Sequence, residues 1–180
     1  MNKIAVTYKS KYGSTKKYAE WISQKLGADL FDSSKVSYDK LLEYDTIVYG
    51  GGLYAGGISG ISLITKNFDK LKDKNLVIFT VGLSPTEDPN LFKPLIEKNL
   101  TEVMRQRIKV FNLRGGMDYK KLNLIHKPMM AMLMKIIGKK SPEELTTDEK
   151  AMLEVKNEKA DFTDINTIEP LTSYVASLNK

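Results

Sequence analysis

The chain alternates short, nearly continuous apolar runs with longer amphipathic stretches. Lys3-Ile-Ala-Val-Thr-Tyr8 reads as a buried strand, and Tyr18, Ala19, Ile22 and Leu26 then recur at helical spacing over Thr15 to Leu26. Leu30-Phe31 is a second short strand. Thr46-Ile-Val-Tyr49 is a third, ending in Gly50-Gly51-Gly52, and Ile61, Ile64, Phe68 and Leu71 mark the next helix. Leu76-Val-Ile-Phe-Thr-Val81 is a fourth strand. Asp88-Pro89 has the form of an N-cap followed by proline at the first helical position, with Leu91, Leu95 and Ile96 on the inner face. Ile108 to Leu113 is the fifth strand, closed by Gly115-Gly116, and Ile168, Leu171, Val175 and Leu178 mark the last helix.

Apolar strands alternating with helices predict a parallel sheet covered on both faces. The expected fold class is α/β: a doubly wound, five-stranded parallel sheet of order 2-1-3-4-5, with residues 1–180 forming one domain. The rhythm breaks once. Met117 to Thr167 is about fifty residues, far longer than an ordinary connection, and reads as an insertion between the fifth strand and the last helix. Within it, Lys127 to Gly138 reads as a helix, with Pro128 at its start and Gly138 at its stop. Ser141-Pro-Glu-Glu144 has the form of a capping box, and Thr147 to Val155 reads as another short helix.

In such a sheet, ligands bind beyond the carboxyl ends of the strands, where the strand order reverses. Three loops converge there. The loop after the first strand is Ser10-Lys11-Tyr12-Gly13-Ser14-Thr15-Lys16, which carries three hydroxyls and leads straight into a helix. Unpaired amides and the helix dipole suit a phosphate at that point. The plain alternative is a strand-to-helix turn with a Ser/Thr cap. The spacing is neither G-x-x-x-x-G-K-[ST] nor G-x-G-x-x-G, which disfavours a nucleotide triphosphatase and a dinucleotide site. The loop after the third strand, Gly50 to Gly57, is glycine at five of eight positions. Such a run predicts positive φ or close approach to a ligand, with Leu53 and Tyr54 placed to pack on a flat ring. Its alternative is a flexible crossover. The loop after the fourth strand, Gly82 to Asp88, brings backbone amides and Leu83 to the same crevice. Together the three suggest one phosphate and one planar ring, with no fixed metal.

Composition narrows the chemistry. Hydrophobic residues make up 42% and charged residues 28% of the chain, enough apolar matter for a sizeable core. There are no cysteines and one histidine, His126. Disulfides, thiolate metal sites, cysteine nucleophiles, cysteine-bound iron–sulfur clusters and multi-histidine metal sites are excluded. Redox chemistry would have to come from a bound cofactor. Met1-Asn2-Lys3-Ile4 begins no apolar leader, and no run reaches the roughly 20 apolar residues of a membrane span, so the expected compartment is the cytoplasm.

The net charge of +6 is uneven. Thr101 to Lys140 holds ten basic residues against Glu102 and Asp118, a net +8, and leaves the remainder at −2. Met129-Met-Ala-Met-Leu-Met134, continued by Ile136-Ile137, is a flexible, polarizable apolar stretch. Lysines at 120, 121, 127, 135, 139 and 140 flank it. One reading is a helix lying on an anionic membrane surface through residues 120–140, at the inner face of the cell membrane. The other is methionines packed on the sheet beneath solvated lysines. Nucleic acid is not expected: no RNA-binding motif is present and few aromatics interleave the basic residues. His126 reads as a helix-start or surface residue, and Trp21 as core or partner-facing.

The three loops resemble those of the flavodoxin-like family over essentially the whole chain. The resemblance implies non-covalently bound FMN. Its phosphate loop would be Ser10, Lys11, Tyr12, Gly13, Ser14 and Thr15. Its ring loops would be Gly52, Leu53, Tyr54, Ala55 and Gly56, with Val81, Gly82 and Leu83. Tyr54 is the candidate ring neighbour, while Leu83 stands where many flavodoxins place an aromatic. Phe111-Asn-Leu-Arg-Gly-Gly-Met-Asp-Tyr119, Lys127 to Gly138 and Asp161-Phe-Thr-Asp164 are similar to the menaquinone-dependent protoporphyrinogen oxidase group. The ring loop departs from that group in lacking a basic residue beside Tyr54. This resemblance implies an FMN-dependent oxidoreductase that takes electrons from protoporphyrinogen IX and passes them to a quinone. The alternatives are an electron carrier docking on a redox-partner protein, and a domain that has lost FMN and serves as an interaction module. No catalytic side chain is singled out.

Overall fold

The computed structural model describes residues 2–118, 126–154 and 159–178. Its centre is a parallel sheet of β1 (Ile4–Lys9), β2 (Asp29–Asp32), β3 (Thr46–Tyr54), β5 (Asn75–Gly82) and β6 (Lys109–Arg114). The strands lie in the order β2-β1-β3-β5-β6, and each neighbouring pair is parallel. This is the expected 2-1-3-4-5 order. A sixth strand, β4 (Gly57–Ile58), folds back antiparallel on the end of β3.

Side chains alternate between two cores, as period-2 strands require. Val6, Val48, Val77 and Phe79 face one layer, where Tyr18, Ala19 and Ile22 of α1 (Ser14–Leu26) meet Leu171 and Val175 of α9 (Glu169–Ser177). Ala5, Ile47, Tyr49 and Ile78 face the other. There they meet α2 (Tyr38–Leu41), α3 (Ser62–Thr65), α4 (Phe68–Leu71) and α6 (Glu102–Arg107). The Tyr49 hydroxyl, buried in this layer, donates to the Ser59 carbonyl at 2.7 Å.

Several expectations need correction. The helix marked by Ile61 to Leu71 is two short helices, broken at Asn67, whose side-chain amide donates back to the Leu63 carbonyl at 2.9 Å. Asp88 does act as a cap, accepting the Asn90 N–H at 2.9 Å, but the element it starts is a 3-10 turn (Pro89–Phe92) leading into α5 (Lys93–Asn99). The tighter turn puts Phe92 inside and leaves Leu91 exposed, because three residues per turn shift the inward position by one.

The insertion is structured where it is described. β7 (Gly116–Asp118) pairs antiparallel with β8 (Lys159–Asp161), and between them lie α7 (His126–Ile137) and α8 (Thr147–Glu154). Ser141 N–H donates to Glu144 at 2.9 Å, yet only a turn succeeds it. The reciprocal capping box stands five residues later, where Thr146 N–H donates to Glu149 and Glu149 N–H returns to Thr146 Oγ1 at 3.2 Å. Tyr119, Lys120, Lys121 and Val155, which belong to the sequence patterns of this insertion, lie outside the described residues, as do the side chains of His126 and Met129. Among the described residues, no helix is long and apolar enough to cross a membrane.

Candidate functional site

β1 delivers Ser10 to the edge of the crevice, and the turn beyond it needs glycine. Gly13 has φ +103°, with open space where a Cβ would sit, so the requirement is backbone conformation and not crowding. Its N–H donates to Ser10 Oγ at 3.1 Å. Because the residue at the N-cap of α1 is glycine, no side chain caps the helix. The first amides of α1 are therefore offered outward beside hydroxyls, which is the condition for holding an anion. Thr15 is buried under this turn.

The glycine run after the third predicted strand works differently from expectation. Gly50, Gly51 and Gly52 lie within β3, paired with β5, and none has positive φ. Their lack of a side chain serves packing. A Cβ on Gly50 would stand 2.1 Å from the Phe79 ring, and one on Gly51 would stand 2.4 Å from Ile58. Within residues 50–57, positive φ is confined to Ala55 (48°) and Gly56 (74°), the two-residue turn joining β3 to β4. Asn99 of α5 clips that turn, donating to the Gly56 carbonyl at 3.1 Å and accepting the Ile58 N–H at 3.1 Å. Sequence reasoning missed Asn99, which no local pattern links to the crevice.

Most of the predicted residues converge, Ala55 and Gly56 excepted. A Cβ on Gly52 would meet the Tyr54 ring at 2.8 Å and Thr15 Oγ1 at 3.2 Å, so Tyr54 lies back over Gly52 against the phosphate loop. Tyr12 and Tyr54 meet edge to face at 6.0 Å between ring centroids. Leu53 covers Gly82, reaching within 3.0 Å of where a Cβ would be. Val81 and Ser14 both abut Gly115. Leu83 joins through its carbonyl, which accepts Arg114 Nε–H at 2.9 Å. Ala55 and Gly56 stand apart: the contacts of their turn run to Asn99 and to Lys98 on α5.

The electrostatics suit a neutral ring beside an anion. Burial, then the nearby Tyr12, push the Tyr54 hydroxyl up to about 12, so it stays protonated and remains a donor at neutral pH. Lys11 Nζ lies over the Tyr54 ring, 5.9 Å from its centroid. A cleft of about 250 Å³ opens beside the phosphate loop, lined by Tyr12, Ser14 and Lys17 on one side and by Asp118, Lys159 and Asp161 of the insertion on the other. A second cleft, of about 330 Å³, lies along α1 at Trp21 and Ile165, remote from the three loops.

Sheet order, crevice and loop set define a doubly wound α/β domain of flavodoxin-like fold. The family description "flavodoxin domain" matches residues 5–144, and the chain belongs to that family. It is 31% identical over 108 residues to an uncharacterized protein of Methanocaldococcus jannaschii, covering 58% of this chain and 67% of that one. Among solved structures, it is similar to a flavoprotein in complex with FMN from Lactobacillus acidophilus NCFM. That likeness has 16% identity, 63% of this chain, 93% of that one and a TM-score of 0.41. It is also similar to rubredoxin oxygen:oxidoreductase from Desulfovibrio gigas, at 13% identity, 86% of this chain, 37% of that one and a TM-score of 0.45.

Proposed function

We propose that this chain binds FMN non-covalently and acts as a redox protein. The observation that carries this reading is the uncapped start of α1, held by the left-handed Gly13 turn and ringed by Ser10, Ser14 and Thr15. Those groups would hold the phosphate. Gly52, Leu53, Tyr54, Val81, Gly82 and Leu83 would border the ring, with Ala55 and Gly56 fixing the turn that carries Tyr54. Bound there, FMN supplies one- and two-electron transfer, and the protein supplies binding, orientation and a local field. Tyr54 must swing off Gly52 to admit a flat ring, and its partial exposure leaves room for that movement.

The finer reading is an FMN-dependent oxidoreductase acting on protoporphyrinogen IX with a quinone as acceptor. The residue pattern of Phe111 to Tyr119, Lys127 to Gly138 and Asp161 to Asp164 supports it. Each two-electron, two-proton oxidation of the porphyrinogen would be matched by reduction of one quinone to its quinol. A lipid-soluble acceptor favours a surface role for α7, where Met132 and Ile136 are 68% and 50% exposed, one turn apart, and Lys127, Lys135 and Lys139 are also exposed. An apolar stripe beside lysines suits anionic headgroups.

Purification with added FMN, followed by absorbance and fluorescence titration, tests the first reading. A stoichiometric yellow complex supports it, and absence of binding rejects it. Turnover of protoporphyrinogen with a menaquinone analogue tests the second, while reversible electron cycling without turnover would assign the chain to the carriers. Flotation with anionic liposomes, compared with Met132→Glu/Ile136→Glu, tests the surface role.

A further inference from the structure

The insertion leaves β6 and returns toward α9 directly across the flank of the phosphate loop. Ser14, the first residue of α1, accepts the Gly116 N–H on its Oγ at 3.1 Å. A hydroxyl that accepts in this way keeps its own proton to donate, and no described residue takes it. Gly116 admits no side chain, since a Cβ would stand 2.3 Å from the Ala160 carbonyl oxygen. β7 is thus pressed onto β8. β8 is held to α1 in turn: Lys17 Nζ donates to Asp161 at 3.2 Å and to Thr163 Oγ1 at 2.7 Å. Thr163 closes the clasp by donating both its N–H (3.0 Å) and its hydroxyl (2.6 Å) to Asp161. The same hairpin reaches the ring loop, because Arg114, bonded to the Leu83 carbonyl, stacks on Phe162 at 3.8 Å.

We propose that the β7/β8 hairpin is a wall of the phosphate site, in which the Gly116 amide orients the Ser14 hydroxyl to donate to a phosphate monoester. Gly116 is a positioning residue here, and the Lys17–Asp161–Thr163 clasp keeps it in place. This rests on the FMN reading and adds that the insertion reads the phosphate. The hairpin therefore distinguishes FMN from riboflavin, which has the same ring and no phosphate.

The test uses the full chain and titrates FMN and riboflavin separately by fluorescence quenching. Gly116→Ala weakens FMN binding about tenfold, the value of a hydrogen bond to a charged group, and leaves riboflavin within about twofold. Asp161→Ala provides a variant that keeps Gly116 and removes a half-exposed carboxylate together with its bonds to Lys17 and Thr163. Coulomb's law alone predicts tighter FMN binding once that negative charge is gone, whereas loss of the clasp predicts weaker binding. Hydrogen exchange adds a readout independent of the variants: FMN slows amides 115–118 and 159–164, and riboflavin does not. Equal effects on both flavins, tighter FMN binding in Asp161→Ala, or equal protection by both flavins would overturn the proposal. If the wild-type chain binds neither flavin, the FMN reading itself fails and this proposal falls with it. If it binds FMN but the variants do not discriminate, the proposal alone falls.

Discussion

The sheet body and the insertion are held by different forces. In the body, β1, β3 and β5 are buried on both faces and their side chains fill two continuous cores. From residue 117 to 167, the buried hydrophobics among the described residues are Met134, Ile137 and Ala151, while Met132, Ile136 and Ile165 are at least half exposed. The insertion is fastened to the body chiefly by directed polar contacts: Ser14 to Gly116 at its base, Lys17 to Asp161 and Thr163, and Tyr18 to Asp164. Burial scales with area and resists local change, whereas a few hydrogen bonds can open without unfolding what lies beneath. The body should therefore set global stability and the insertion should open first.

The largest expected effect is in the body. Phe79→Ala removes a fully buried ring between β3 and β6 and should cost about 3–5 kcal/mol in urea unfolding. Met132→Ala, on the exposed face of α7, should change the same unfolding free energy by less than about 0.5 kcal/mol. An equal cost at both positions would erase the distinction. Next in size is Gly50→Ala, about 1–3 kcal/mol, because the Phe79 ring occupies the space a methyl would need. Combining it with Phe79→Leu should cost less than the two separate losses, which a double-mutant cycle measures.

Tyr18→Phe comes third. The hydroxyl donates to the Arg114 carbonyl at 2.7 Å and accepts the Asp164 N–H at 3.1 Å. Its loss should cost about 1–2 kcal/mol, and hydrogen exchange should show residues 159–168 opening more than β1 or β5. The smallest effect is acid loosening. Hydrogen bonds from the Thr163 side chain and backbone, and then Lys17, lower Asp161 below its usual 3.8. A lowered carboxyl stabilises the fold fully above its unfolded value and loses that contribution as pH falls through the folded one. Limited proteolysis should cut near residues 159–164 sooner below about pH 3.8 than at pH 6, before the body melts. Asp161→Asn should remove that pH step.

The strand order was legible because a buried parallel strand leaves a continuous apolar run, as in Leu76 to Val81, and no competing pattern intervenes. The turn after β1 was legible for a local reason: a glycine amid hydroxyls at a strand-to-helix junction marks a positive-φ turn into a helix start. The glycines of β3 were visible as a requirement but not as a cause. Their partners, Phe79 and Ile58, lie on other strands, and nothing in Gly50-Gly51-Gly52 says whether absence of a side chain serves φ or packing. Leu91 and Phe92 exchanged places because a 3-10 turn and an α-helix share the same Asp-Pro signature. The β7/β8 pair was out of reach, since two three-residue strands about forty residues apart carry too little pattern to announce each other. The loop pattern picks out Ser14 as a hydroxyl at the start of α1, but its bond to Gly116 spans 102 positions and belongs to the tertiary structure alone.

The pairing of Asp118 with Lys159 sets the two ends of the long excursion side by side, about 5 Å apart between α-carbons. A chain that departs and comes home at the same doorway is interchangeable in length. The residues between 118 and 159 could be exchanged for a two-residue Asn-Gly turn, which closes antiparallel strands of this kind, without displacing one strand of the sheet. The segment thus has the architecture of a replaceable attachment on a sheet that stands without it.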